Sequence, residues 1–595
     1  MRRGLKARHK TLRPEASPLE ERVLLSGVPT QWSSRGAGGG GALFSPAISP
    51  TNAGEIYIAS DMGQLFHTTT AGKSWSELDF RRIQSSHETR VQFTEDPNIL
   101  YSVDYTDPNG SGASQPIKST DGGATWHSLV NDPTSAGAFR LFADPSNHNR
   151  LIVSDYTNLY FSGDGGSTWA AKYTNSNGGQ GLQLAGAFFD GSNIYVGTNS
   201  GLLVSLDGGG TFALSSASGI PSGKVMMSFS GAKQGATTRF FAVTWDNADV
   251  YAGVQGYDYS GIATGSEGIY TLSVGQNSWT PAMTGIASSA APIYVATALN
   301  DVNTAYVAGG SNPGGVPTVY QTTDAGAHWQ SVFQTSNNQN IATGWQGANG
   351  DRGWTYGEVV LGLAVAPANA AQVVITDLGM AHETTNAGVS WSQLYVNPGD
   401  RNPAAASTPK GKAYHESGLD NTTAWGLNWV DASNILVSNS DIIGTHSIDG
   451  GNSFAFATSG NTYNSTYMTV TDPSTATVYA ATSSIHDMYQ STHLTDASIN
   501  SGSGAVLFST TKGATWQTLH NFGKPVVGVA GDPTSAHRLY ASVVNSTSGG
   551  IYVTNDLQDG ATSVWTQLTN PPRTQGHGCK TWFVFRDLTQ PSYFS

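Results

Sequence analysis

The segment Ser119-Thr-Asp121-Gly-Gly123-Ala-Thr125-Trp126 returns as Ser162-Gly-Asp164-Gly-Gly166-Ser-Thr168-Trp169 and again as Ser205-Leu-Asp207-Gly-Gly209-Gly-Thr211-Phe212. Looser copies run from Thr68 to Trp75, Thr322 to Trp329, Thr384 to Trp391, Ser447 to Phe454 and Ser509 to Trp516, with degenerate ones ending at Trp279 and Trp565. A unit repeated this often constrains the fold strongly, because each copy must be a supersecondary element that buries its apolar face only by stacking on its neighbours. The residue types explain the turn: Asp accepts hydrogen bonds from N–H groups of its own loop, Gly supplies positive φ, and the aromatic packs beneath. Asp121, Asp164, Asp207, Asp324 and Asp449 are therefore read as turn residues and excluded from catalysis.

Upstream of each turn lie two apolar, β-prone stretches, such as Leu151-Ile-Val-Ser-Asp-Tyr-Thr-Asn-Leu-Tyr-Phe161, preceded by another apolar strand and an Asp-Pro or similar turn. With the strand after the turn this makes four per unit, which is a propeller blade. The fold class is all-β, a multi-bladed β-propeller. The terminal aromatics fall 43 to 67 residues apart, so the longer units carry inserted loops. Ten units divide as seven blades over residues 29–395, a linker or long loop at 396–418, and an incomplete second propeller over 419–595; one ten-bladed ring is the alternative. The tail after Pro572 reads as a strand completing a blade, or as a chain end that has lost its usual continuation.

Charged residues make up only 12% of the chain, against 71 Gly, 24 Tyr and 15 Trp, which suits short strands with aromatic layers. The net charge is −13, although the first 27 residues hold seven Lys/Arg against three Glu, so the acidic character lies in the remainder. An acidic body without a basic stripe argues against nucleic acid as partner. No apolar run is long enough for a membrane span. Residues 1–28 are expected to be a disordered, basic targeting segment, and the single Cys579 forms no intrachain disulfide. No zinc-protease, paired-cysteine, Walker or nucleophile-elbow pattern occurs, so no cofactor and no metal are expected. The acidic stretch Asp104 to Asp107 is read as a turn rather than a Ca²⁺ site.

Three preambles differ in placing an aspartate at a strand end with Gly two or three residues on: Asp61-Met-Gly63, Asp377-Leu-Gly379 and Asp441-Ile-Ile-Gly444. His67, His382 and His446 follow them at short range. Aspartates at equivalent strand ends point to the same end of a propeller, and two carboxylates facing one groove are what glycoside hydrolysis needs. Trp345, Trp354, Tyr356, Tyr414 and Trp425 lie in polar loops beside Asp351, Arg352 and Glu358, as sugar-stacking residues would. Trp429, in an apolar strand, is read as core.

The repeat resembles the Asp-box, or BNR repeat, of sialidases, sortilin-type receptors and several glycan-degrading propellers. The sialidase comparison fails for want of an Arg-Ile-Pro segment and an arginine triad. Gly36-Ala-Gly-Gly-Gly-Gly41 followed by Ile56-Tyr-Ile-Ala-Ser-Asp-Met-Gly63 resembles the opening of two-propeller endo-xyloglucanases. That resemblance implies a general base at Asp61 and a general acid at Asp441; Asp377, which shares the strand-end pattern, is kept as a substitute partner of either. It also implies inverting hydrolysis of a xyloglucan-like β-glucan. The family segment is altered here by Gln64 and Phe66 in the first motif and Ile443 in the second. Sortilin-type receptors imply instead that ten blades can close as one ring. Pro18 to Ser26 resembles an N-terminal motif of large bacterial surface and secreted proteins, which implies an extracellular or cell-surface location. Two readings stand side by side: a glycan-active hydrolase, and a non-catalytic propeller that binds polysaccharide or a cell-surface protein.

Overall fold

The computed structural model describes residues 33–569 except 40, 107–112, 176–180, 248–267, 312–314, 358, 420–421, 457–458, 486–487 and 489–494. The 1–28 segment, Cys579, the strand expected after Pro572, Asp107 and Glu358 lie outside the described residues. From Arg35 on, the chain forms one unit. Among the described residues its strands make ten sheets, eight of them four-stranded and all antiparallel but for one short parallel pair, Ile341–Ala342 on Trp391–Gln393, at the edge of the seventh. Among the described residues one α-helix occurs, Asp496–Ser501.

Each sheet is a blade whose second strand carries a continuous buried stretch rather than an alternating one. Ile56–Ser60 and Leu100–Asp104 are buried at every position, because blades stack face to face and cover both sides. The repeated turn joins the third and fourth strands. In the second blade Asp121 Oδ1 accepts from the Thr125 N–H at 2.8 Å and Oδ2 from its hydroxyl at 2.6 Å. The Ser119 hydroxyl donates to Asp121 Oδ1 and receives the Gly123 N–H, both at 2.8 Å. These bonds, chiefly those from Thr125, hold the Asp121 pKa down at about 2. Where Asp is missing the bond survives: Thr70 Oγ1 accepts from Ser74 N at 3.0 Å, Asn386 Oδ1 from Ser390 N at 2.9 Å, and Thr511 Oγ1 from Thr515 N at 2.9 Å.

The first strands of blades one to seven are Leu43–Ile48, Gln92–Phe93, Arg140–Asp144, Leu184–Asp190, Lys224–Gln234, Ala290–Ala296 and Gly362–Ala366. All seven contribute to the wall of one axial cavity, and the seventh packs against the first, so these blades close a ring. Blades eight to ten begin with Ala424–Trp429, Ser465–Thr471 and Val526–Asp532. They stack in series, eighth on ninth and ninth on tenth, as an arc.

The first strand of the eighth blade corrects one expectation: Trp429 is 60% exposed and Leu427 59%. Its residues have the composition of a core strand. At the end of an arc, however, only one neighbouring blade, the ninth, packs on it among the described residues.

Ring and arc are stitched by the N-terminal glycines. Gly38 and Gly39 both have φ of +74° and press so closely on Tyr395 and Gly379 that a Cβ would overlap backbone oxygens. Gly39 N donates to Leu419 O at 2.6 Å, and Gly38 O accepts from Trp345 Nε1 at 2.6 Å. Trp75, Trp345, Tyr414, Leu419, Phe454 and Phe456 then form one apolar cluster across the joint.

Candidate active site

Asp61 follows the second strand of the first blade and is exposed. Its turn is shaped by its neighbours: Ser60 N donates to Gln64 O at 3.0 Å, Ser60 Oγ to Gln64 Oε1 at 2.6 Å, and Met62 N to Ser60 Oγ at 3.2 Å. Gln64 thus closes the loop by side-chain bonding at the position where the compared motif has glycine. Asp61 N donates to Ala42 O at 3.3 Å, tying the turn to the start of the ring.

Asp441 occupies the same place in the eighth blade and is half-buried. Its turn is contorted, with φ of +62° at Asp441, +72° at Ile443 and +148° at Gly444. Positive φ at a β-branched residue is strained and persists only when the surroundings hold it. Here the ninth blade does so, since Ile443 N donates to Asn464 O at 3.1 Å and Asp441 N to Ser465 Oγ at 3.2 Å. The inserted Ile443 is 2% exposed, so its side chain anchors the turn from inside.

Thr423 brings these two turns together. Its hydroxyl lies 3.7 Å from Met62 Sδ, beside Asp61, and its carbonyl accepts from Ser440 N at 3.1 Å, beside Asp441. Trp425 joins them: its Nε1 donates to Ser440 Oγ at 2.9 Å and its half-buried ring leans on Tyr467, with centroids 5.2 Å apart. Asp61, Thr423, Trp425 and Asp441 therefore belong to one patch where ring meets arc.

Asp377 is set differently. It is 0% exposed, Oδ1 accepts from Met380 N at 3.0 Å, and Oδ2 is buried without a hydrogen-bond partner. Burial pushes its pKa up to about 8, so the carboxyl is neutral at pH 7. Its backbone carbonyl accepts from Leu43 N at 3.1 Å, which makes it a residue of the seam between the seventh and first blades. A group shut in this way has no face to offer a substrate, so the role of substitute partner does not suit it.

Three of the aromatics read as sugar-stacking are likewise enclosed. Trp345 is 2% exposed and packs against Phe456 with ring centroids 4.5 Å apart. Tyr356 is buried and donates to Asn338 Oδ1 at 2.7 Å. Tyr414 is buried, donates to Gly344 O at 3.0 Å, and has its pKa pushed up to about 12, chiefly by burial. All three spend their faces on the interior, and Trp345 and Tyr414 on the ring–arc joint itself. Loops rich in Trp, Gly and polar residues look the same in sequence whether they bind a sugar or fold inward. Trp354 keeps partial exposure, with Arg352 5.3 Å from its ring centre. The histidines are packing residues: His67 stacks on Tyr57 at 4.1 Å and His446 contacts Asn434 Oδ1 at 3.2 Å. His382, 1% exposed among aromatic rings, has its pKa lowered by burial to about 3.

No protein-family model matches the sequence, and no curated protein matches it. Solved structures do match in shape. An ancestral GH74 enzyme aligns with a TM-score of 0.68 at 16% identity, over 91% of this chain and 71% of that one. The GH74 xyloglucanase from Xanthomonas campestris aligns at 0.56 and 16% identity, over 92% and 83%. The GH74 enzyme of Niastella koreensis aligns at 0.52 and 17% identity, over 90% and 86%. At these identities the likeness establishes the multi-bladed propeller fold. It leaves the chemistry to be argued from the residues.

Proposed function

We propose that the protein is a glycan-active propeller of xyloglucanase type, an inverting glycoside hydrolase with Asp61 as general base and Asp441 as general acid. The observation that carries this reading is Thr423, which touches both aspartate turns at once. Inverting hydrolysis needs two carboxyls roughly 6.5 to 9.5 Å apart across a groove, one to protonate the leaving oxygen and one to activate water. Asp61 is open to solvent, as a base that handles water must be. Asp441 is half-buried beside the Trp425 ring, a setting for a group that meets the sugar. Trp354 and Trp425 remain as stacking surfaces, and the substrate class is a xyloglucan-like β-glucan outside the cell or at its surface.

The second reading, a polysaccharide-binding propeller without catalysis, is favoured by the strained and altered turn at Asp441. One experiment separates the two: incubation with xyloglucan and a β-glucan panel, reading new reducing ends and the anomer first released. Hydrolysis is expected, and Asp61→Asn and Asp441→Asn should each lower turnover by about 10³-fold or more while leaving xyloglucan binding intact. Binding with no new reducing ends in the wild-type protein would establish the second reading instead. The presence of the protein in the culture medium or surface fraction tests the location.

A further inference from the structure

The axial cavity of the seven-bladed ring encloses about 440 Å³ and carries a charge arrangement that the hydrolase reading does not use. Its polar end lies where the inner strands begin, since Arg140 pairs in register with Ser154 just as Leu43 pairs with Ser60 before Asp61. There His87, Glu88 and Arg90, on the segment leading into the second blade, meet Arg140 of the third. Arg140 Nε lies 2.6 Å from Glu88 Oε2, an ion pair by distance whose angle makes no hydrogen bond between the two atoms.

Arg90 is different. No acceptor among the described residues bonds its guanidinium, and its charged neighbour is Arg140, of like sign. Arg90 is an exposed residue whose open surface faces the cavity, and the dense protein around it, by desolvation first and Arg140 second, lowers its pKa to about 10, so it stays charged at neutral pH. His87 stacks on Phe44 with centroids 4.0 Å apart, and burial lowers its pKa, which keeps it neutral. Two cations thus face one carboxylate. The other polar wall groups are already spent within the protein: Ser228 Oγ receives the Val295 N–H at 3.0 Å, and Ser230 and Thr297 bond each other at 2.8 Å.

We propose that this cavity binds a small organic monocarboxylate, with Arg90 as the group that takes the carboxylate. A guanidinium fork matches the two oxygens of a carboxylate, and this one opens on the cavity with no protein acceptor taking its donors among the described residues. A single negative charge balances the excess at this end. The volume exceeds that of a bare ion, and Phe142, Phe188, Phe189 and Tyr294 line the rest, so the anion carries an organic body.

Calorimetric titration of the full chain with benzoate and with glucuronate, against benzamide and glucose as neutral counterparts, tests this. At least one carboxylate should bind, about tenfold or more tighter than its neutral counterpart, and which one binds tells an aromatic from a sugar body. Arg90→Gln should abolish that binding with no loss of thermal stability, since it removes an uncompensated cation. Glu88→Gln, by freeing Arg140, should tighten binding several-fold. Failure of both carboxylates at millimolar concentration, inorganic phosphate binding as tightly as either, or full binding by Arg90→Gln would each overturn the proposal.

Discussion

The inner strands of the first and eighth blades open two stacks of the same kind of unit, yet they meet opposite fates. Leu43–Ile48 is buried at five of its six positions, because the seventh blade returns to cover it. Ala424–Trp429 has no fully buried position. The blades are alike in turn chemistry, so the difference lies in closure: a blade is covered on both faces only when the ring comes round. Core-like composition therefore tells that a strand is built for a propeller, and the neighbouring blade decides whether it is buried.

The largest contrast expected is between two leucines. Leu43 is 0% exposed and Leu427 59%. Leu43→Ala should destabilise the protein by about 2 to 5 kcal/mol, the range for emptying a packed core. Leu427→Ala should stay within about 0.5 kcal/mol. Chemical denaturation with ring and arc followed separately, by hydrogen exchange of their amides, checks both. Equal losses at the two sites would mean that the arc's open face is covered in solution.

Two glycines give a somewhat smaller contrast. A Cβ on Gly362, at the seam, would overlap Pro46 Cδ and crowd Thr376 and the Ser45 backbone, whereas one on Gly426 meets nothing within 4 Å. Gly362→Ala should therefore cost about 1 to 3 kcal/mol as an overpacking change. Gly426→Ala should be neutral or stabilise by up to about 1 kcal/mol, because it restricts the unfolded chain in a strand that has room for it. Thermal denaturation of the two variants reads the sign directly.

The blades were legible in the sequence because the turn that closes each one is local: Asp121, Gly123, Thr125 and Trp126 lie within eight residues and bond one another. Even the copies with Thr70 or Asn386 in place of Asp could be found, since the flanking Gly and Trp persist. What the ring and arc do to particular side chains was not legible, because it depends on residues hundreds of positions away. Trp345 is enclosed because Gly38 comes within hydrogen-bonding distance of its indole. Trp429 is exposed because of where the arc ends. The neighbourhood of Asp61 and Asp441 was anticipated through a resemblance, and in space it rests on Thr423, a residue with no motif to mark it. The Arg90 cavity gave no signal at all, as its charged residues are spaced irregularly and converge only around the axis.

The smallest expected effect is electrostatic and belongs to Asp377, which follows the second strand of the seventh blade as Asp441 follows that of the eighth. The ring seam encloses Asp377, whose carboxyl accepts from the Met380 N–H. Its folded pKa of about 8 lies above the roughly 3.9 of an unfolded Asp, so between these values the folded chain keeps a proton that the unfolded chain releases. Stability must then fall as pH rises from about 4 to about 8 and stop falling above it. Asp377→Asn, which can still accept from Met380 N and never ionises, removes that slope. At pH 8 the variant should be more stable than wild type by on the order of 1 kcal/mol, since a carboxylate forced to form there draws in some water. Near pH 3, below the roughly 3.9 of the unfolded side chain, where the wild-type carboxyl is largely protonated in both states, the two proteins should unfold together. A series of denaturation midpoints from about pH 3 to 9 on the wild-type protein and Asp377→Asn reads the slope and its loss. A wild-type slope unchanged by Asp377→Asn would mean that Asp377 reaches solvent in solution, and its claim to a place in the catalytic pair would have to be reopened.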